Sequence, residues 1–166
     1  MSRVRIYFKK FSTEEDFHYF SKLTFNEEVM IMNYGRVFTL EESKKFYQGI
    51  LSVNSKHEAL GYFKVFEKTI DDFIGLAAIY ADDDLAEAEV EYMLLPEYWG
   101  KGYGSEIVGE LIELAKTEGI NKVIATIDPK NIASRKILTN NGFKSCKTFT
   151  IDDGSLAETL SKDVLF

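Results

Sequence analysis

Two short stretches carry residues able to do chemistry. In AEAEVEYMLL, Glu87, Glu89 and Glu91 alternate, so a strand would present all three carboxylates on one face. Such a face is either a polar surface in water or an acidic wall that draws a cation. Immediately after it, PEYWGKGYGSE places Gly100, Gly102 and Gly104 at alternate positions, just before a helical pattern. Glycine inside an element costs about 0.5–1 kcal/mol against alanine, so three together imply a close approach to the main chain. Amides at a helix start lack intrahelical partners and sit at the positive end of the helix dipole. A glycine-rich strand-to-helix junction is therefore an anion pocket suited to a phosphate or pyrophosphate, or else a tight turn with close strand–helix packing.

Two phosphate motifs fit poorly. A P-loop ends in Gly-Lys-Ser/Thr, whereas this chain has Gly104-Ser105-Glu106. A dinucleotide fingerprint would use Asp128 as its ribose acid. But Pro96 to Trp99 separate the strand from the glycines, the third glycine falls early, and too little chain follows Asp128 for a doubly wound sheet.

The elements that must hold these residues are legible from pattern. Strands are expected at Val4–Phe8, Ala59–Glu67, Phe73–Tyr80, Ala86–Leu95, Asn121–Ile127, Phe143–Ile151 and Glu158–Phe166. Capping-box patterns at Ser12–Glu15 and Thr39–Glu42 start helices towards Lys22 and Val53, and a short helix spans Asn26–Met32. Ile107, Leu111 and Leu114 mark a helix that ends near Gly119, and Asn131–Asn140 reads as another. Asp82-Asp83-Asp84 is a polar break, and Asp152-Asp153-Gly154 a turn.

The 166 residues, 45% of them hydrophobic, suit one domain with a substantial core. Net charge is −7, with no basic block of the kind that binds nucleic acid. No apolar run approaches the roughly 18 residues of a membrane helix. The scattered charges of the N-terminus do not form a signal segment. One cysteine, Cys146, excludes an internal disulfide, and two histidines make a zinc site implausible. The expectation is a cytoplasmic protein with no metal, nucleic-acid or membrane partner.

Trp99-Gly100-Lys101-Gly102-Tyr103-Gly104, followed by helix, strand, Asn131-Ile132-Ala133-Ser134 and Gly142-Phe143, resembles the acyl-CoA site of the GNAT superfamily of N-acetyltransferases. The wording is most similar to the branch of ribosomal-protein N-terminal acetyltransferases, with polyamine acetyltransferases as related forms. The resemblance is specific over Glu89 to Phe143. It implies an α/β (α+β) fold with a central, mostly antiparallel sheet flanked by helices. That sheet should splay between Ala86–Leu95 and Asn121–Ile127 to make the CoA slot. One domain, 1–166, would divide into an acceptor side, about 1–80, and an acyl-CoA side, about 86–145.

The resemblance also implies roles. Amides from Gly100 through Lys101, Gly102, Tyr103 and Gly104 to Ser105 would hold the CoA pyrophosphate. Trp99 stands where the family usually has Gln or Arg. Met93, Leu94 and Leu95 would pair with the pantetheine arm and polarise the thioester carbonyl. Lys101, Lys130, Arg135 and Lys136 are candidate counter-cations, or solvated helix charges. Glu89 matches the family's strand glutamate and would be the general base. The family's usual tyrosine acid is absent, with Leu138 in its place, so Ser134 is the candidate acid. Asn131 would cap its helix, bind the CoA arm, or do both. Tyr92 and Tyr98 read as core or cleft wall. Acetyl-CoA would be the co-substrate and a primary amine the acceptor: a protein N-terminus, a polyamine or a small molecule. An acyl-CoA sensor without turnover is the alternative. No motif fixes the acceptor or the oligomeric state.

Overall fold

The computed structural model describes residues 4–164 apart from 82, 83 and 85. Asp82 and Asp83 of the expected polar break, and the end of the last expected strand at 165–166, lie outside the described residues.

The chain forms seven strands: β1 (Ile6–Lys10), β2 (Gly61–Glu67), β3 (Asp72–Ala81), β4 (Glu87–Leu94), β5 (Lys122–Ile127), β6 (Lys144–Thr150) and β7 (Leu156–Asp163). They build one sheet in the order β1-β2-β3-β4-β5-β7-β6. Every adjacent pair is antiparallel except β4 with β5. The helices are α1 (Phe17–Thr24), α2 (Glu27–Tyr34), α3 (Leu40–Lys56), α4 (Tyr103–Thr117) and α5 (Ile132–Asn140). The expected mixed α/β architecture, with a mostly antiparallel sheet, is what forms.

Of the two expected capping boxes, the one at Thr39–Glu42 forms and the one at Ser12–Glu15 does not. Thr39 accepts from Glu42 N at 3.1 Å while the Glu42 carboxylate accepts from Thr39 N at 3.0 Å. At the first site the cap is Thr13 rather than Ser12. It accepts from Asp16 N at 3.2 Å and opens a 3₁₀ turn ahead of α1.

Strand alternation divides the core into two layers. On β3, Ala77 and Ile79 face one side and Leu76 and Ala78 the other. The first side packs under α4, through Ile107, Val108 and Leu111. The second packs under α1 and α3 and is aromatic. Phe11, Phe20 and Tyr47 meet there with ring centroids 5.7–6.3 Å apart. Such pairs contribute about 0.5–1.5 kcal/mol each beyond the area they bury. No helix among the described residues is long and apolar enough to cross a membrane.

β4 is held against β3 at a contact that admits no side chain. Gly75 pairs with Leu94, and a Cβ there would lie 2.1 Å from the Met93 carbonyl oxygen. Because the obstacle is backbone, Gly75→Ala is expected to destabilise the fold by about 1–3 kcal/mol, read as a lower midpoint in urea unfolding.

Candidate active site

The parallel ladder between β4 and β5 is short. It runs from Glu87↔Lys122 to Glu89↔Ile124 and stops, although β4 continues to Leu94 and β5 to Ile127. Beyond Glu89 the strands diverge, where the splay was expected. Two cavities open along the gap. One, of about 500 Å³, runs under the glycine loop and along α5. The other, of about 140 Å³, lies between the diverging strands and is covered by Met32, Asn33 and Tyr34 of α2. Their shared wall is Met32, Asn33, Tyr92, Met93, Asn131 and Ser134.

The glycines divide their tasks. Gly100 and Gly102 have φ of 71° and 86°, left-handed values that favour glycine. Gly102 is the residue before α4, whose first helical bond runs from Glu106 N to the Gly102 carbonyl at 3.2 Å. The amides of Tyr103, Gly104 and Ser105 precede that bond and so have no place in the helical ladder. Gly104 serves packing: a Cβ there would meet Ile137 Cδ1 of α5 at 2.7 Å. The two readings of the loop, anion pocket and close packing, are therefore compatible within one segment.

Most of the expected CoA residues come together. Met93, Leu94, Trp99, Gly100 and Gly102 line the larger cavity, as do Tyr103, Gly104, Ser105, Asn131 and Ser134. Leu95 does not line it, and its amide bonds to Ile74 O at 2.9 Å. Trp99 closes the loop onto the strand, its indole N–H donating to Leu94 O at 2.9 Å. Asn131 caps α5, accepting from Ser134 N at 3.1 Å. Lys136 lines the cavity, whereas Arg135 donates to Glu158 of β7 at 3.1 and 3.3 Å. Lys101 contributes its carbonyl, which accepts from Arg5 Nη2 at 2.8 Å.

Arg5 is a participant that sequence reasoning missed. Its amide donates to Glu106 Oε1 at 2.8 Å, its guanidinium pairs with the same carboxylate, and its Cζ lies 4.1 Å from the centre of the Tyr103 ring. The Glu106 carboxylate, close to where an anion would sit, is thereby neutralised, and the loop is tied to the start of β1. With some 100 residues between them, no motif connects the two.

The smaller cavity holds the carboxylate chemistry. Glu91 lines it and accepts from Tyr80 O–H at 2.7 Å. Burial pushes the Glu91 carboxyl above the usual carboxylate range, and the charge of Glu89 adds to the rise against the Tyr80 hydrogen bond. The Tyr80 ring stacks on Tyr62 at 5.6 Å. Glu89 lies at the last closed rung of the sheet, opposite Tyr80 on one side and Ile124 on the other, outside the lining of either cavity. On the other face of β4, the Tyr92 hydroxyl lies 2.7 Å from Ser134 Oγ. Leu138 is fully buried in the core.

A glycine-rich helix start and a half-buried carboxylate thus border two adjoining cavities at the fork of the sheet. A family model described as acetyltransferase (GNAT) domain matches residues 5–144. The chain belongs to the GNAT acetyltransferase family. The uncharacterized N-acetyltransferase p20 of Bacillus licheniformis is 33% identical over 84 residues, 49% of this chain and 47% of the relative. The chain thus matches about half the length of that relative. Among solved structures, a GNAT-family acetyltransferase from Bacillus anthracis superposes with a TM-score of 0.80 at 19% identity, covering 96% of this chain and 95% of the other. Spermidine N-acetyltransferase from Vibrio cholerae, in complex with CoA and spermine, gives 0.78 at 15% identity, with 97% and 96% covered. Ribosomal-protein-S5-alanine acetyltransferase from Vibrio fischeri gives 0.77 at 19%, with 98% and 95% covered. At these identities the superpositions establish the shared fold.

Removing Arg5 leaves an uncompensated carboxylate beside the cradle. Arg5→Met is expected to weaken CoA binding about tenfold, or roughly 1.4 kcal/mol, by titration calorimetry. Arg5→Met with Glu106→Gln should recover most of that loss, because the repelling charge goes too.

Proposed function

We propose that the chain is an acetyl-CoA-dependent N-acetyltransferase that moves the acetyl group to a primary amine by direct attack in a ternary complex. The observation that carries this reading is Glu91. It is a half-buried carboxylate with a raised pKa, set in the gap of a splayed sheet beside a helix start whose first amides lie outside the helical ladder. The three α4 amides, with Gly100 to Gly102 and Lys136, would hold the CoA pyrophosphate. The family fold, shared with a neighbour in complex with CoA, supports that donor.

Glu91 is the general base of this proposal, and Glu89, one rung away on the same face, is the charge that helps keep Glu91 basic. A carboxylate held above its usual range is a better match to proton abstraction near neutral pH than an ordinary one. The tyrosines around it, Tyr34, Tyr62 and Tyr80, suit a cationic amine before it loses its proton. Ser134 is the proposed hydroxyl on the thiolate side. Cys146, on the far side of β7 from the slot, takes no part, so no acyl-enzyme forms. Residues 1–166 act as one domain, with the acceptor entering from the side of α1 to α3. The acceptor classes kept open are a protein N-terminus, a polyamine and a small-molecule amine. Fold neighbours named for spermidine and for the S5 alanine support the first two equally. A cytoplasmic setting and the absence of nucleic-acid and membrane partners complete the reading.

The test is thiol release from acetyl-CoA in the presence of spermidine, paromomycin or an alanine-initiated peptide. Release with any of them supports the enzyme. Tight CoA binding with no release supports the sensor.

Glu91→Gln separates chemistry from stability. Its kcat should fall about 10²–10⁴-fold, while CoA affinity stays near wild type. Because the folded pKa of Glu91 lies above the unfolded value, the folded state binds more protons between the two. Wild-type stability therefore falls as pH rises through that window and stays lowered above it. Glu91→Gln removes this loss, so the variant should melt higher than wild type at pH 7 and equally at pH 4, by calorimetry. The wild-type rate should fall, on acidification, at a pH above the ordinary carboxylate range.

A further inference from the structure

Tyr92 is a strand residue that looks like cleft wall, but its position is specific. The donor phosphates belong at the α4 start and the base at Glu91, so the reacting thioester must lie where the two cavities meet. Tyr92 and Ser134 both line that junction. Their hydroxyl oxygens are 2.7 Å apart, from opposite walls of the gap, β4 and the first turn of α5. The Ser134 carbonyl oxygen also lies 3.4 Å from the phenol, and in the shorter contact either hydroxyl can donate, so a proton can pass between the two oxygens.

We infer that Tyr92 is a positioning and proton-supplying residue that acts through Ser134, the pair together protonating the departing thiolate in place of the tyrosine that α5 lacks. The inference rests on the acetyltransferase reading. The amine nitrogen bonds to the acyl carbon and its surplus proton passes to Glu91. The carbonyl electron pair moves onto oxygen and returns as the C–S bond breaks, leaving its pair on sulfur. Ser134 Oγ–H gives its proton to that sulfur, and Tyr92 O–H replaces it on Oγ. Water then reprotonates Tyr92 as Glu91 releases its proton, so every group ends as it began.

A serine alone is a poor acid for this step, because an alkanol gives up its proton far less readily than a phenol. A phenol is far closer in acidity to a thiol than an alkanol is, so a phenol behind the serine eases the transfer. Burial raises the Tyr92 hydroxyl, with the Ser134 hydrogen bond opposing, which keeps it protonated and ready to donate at neutral pH. Leu138 is buried and carries no hydroxyl, consistent with the supply coming from the facing strand.

The test compares wild type, Tyr92→Phe, Ser134→Ala and the double variant in thiol release, with whichever of spermidine, paromomycin or the alanine-initiated peptide wild type uses. Tyr92→Phe should lower kcat about 10–100-fold with the KM for acetyl-CoA within twofold, and the double variant should be no slower than the worse single one. Replacing acetyl-CoA with its selenium analogue, whose selenolate leaves without needing a proton, should erase most of the Tyr92→Phe deficit. A purely structural tyrosine would show the same deficit with both donors. Wild-type kcat in Tyr92→Phe, additive losses, or an undiminished deficit with the selenoester overturns the relay and leaves the acetyltransferase reading standing. A wild-type chain that releases no thiol overturns both.

Discussion

Backbone pairing between β4 and β5 ends at Glu89 and Ile124 while both strands run on. A buried strand edge without a partner is costly, since each unpaired amide or carbonyl must find a donor or acceptor. Here the gap is a cleft that a ligand can enter, and the free edge is a place to receive one. The separation also decides which side chains are useful. Residues before the fork are locked into the sheet, and those after it border open space. Glu89 sits on the last rung and Glu91 just beyond it, so only Glu91 borders the cavity.

The rest of the molecule fixes the fork. Gly75 lets β3 approach the Met93 carbonyl closely, so β4 is held from one side only. Trp99 ties the loop to Leu94, and Gly104 lets α4 and α5 approach each other beneath the cavity. Arg5 fastens the loop from the far end of the sequence and cancels the charge of Glu106. An acid in the first turn favours the helix dipole but competes with an anion for the same amides. Pairing it with Arg5 keeps the helix benefit while freeing the amides.

How much of this could be read from sequence depends on range. The glycine loop, the Asn131 cap and the strand–helix alternation are local, and each stands within a residue or two of where its pattern put it. The first cap moved by one residue, to Thr13, because Ser12 and Thr13 are both capable caps and only the turn geometry selects between them; it opens a 3₁₀ turn, and α1 itself begins at Phe17. Period-2 spacing showed that Glu87, Glu89 and Glu91 share a face. It could not show where pairing with β5 stops, because that depends on a strand about 35 residues further on. The Arg5–Glu106 pair is equally non-local. That Gly104 also lies against Ile137 of another helix is equally beyond the reach of a local pattern.

One strand holds both ends of the proposed proton economy. Alternation sends Glu91 towards the aromatic layer under α1 and α3, and Tyr92 towards α5. In a closed sheet, neighbours on opposite faces could never serve one reaction, because the sheet itself would separate them. At a fork the edge between the faces is open, so a thioester lying along it is within reach of both sides. On the proposed mechanism, attack comes from the Glu91 face while the thiolate leaves towards Tyr92 and Ser134. The amine and the leaving group are kept apart by the strand that serves them. On the proposed relay, the facing strand brings to Ser134 a phenol that the buried Leu138 of α5 cannot supply.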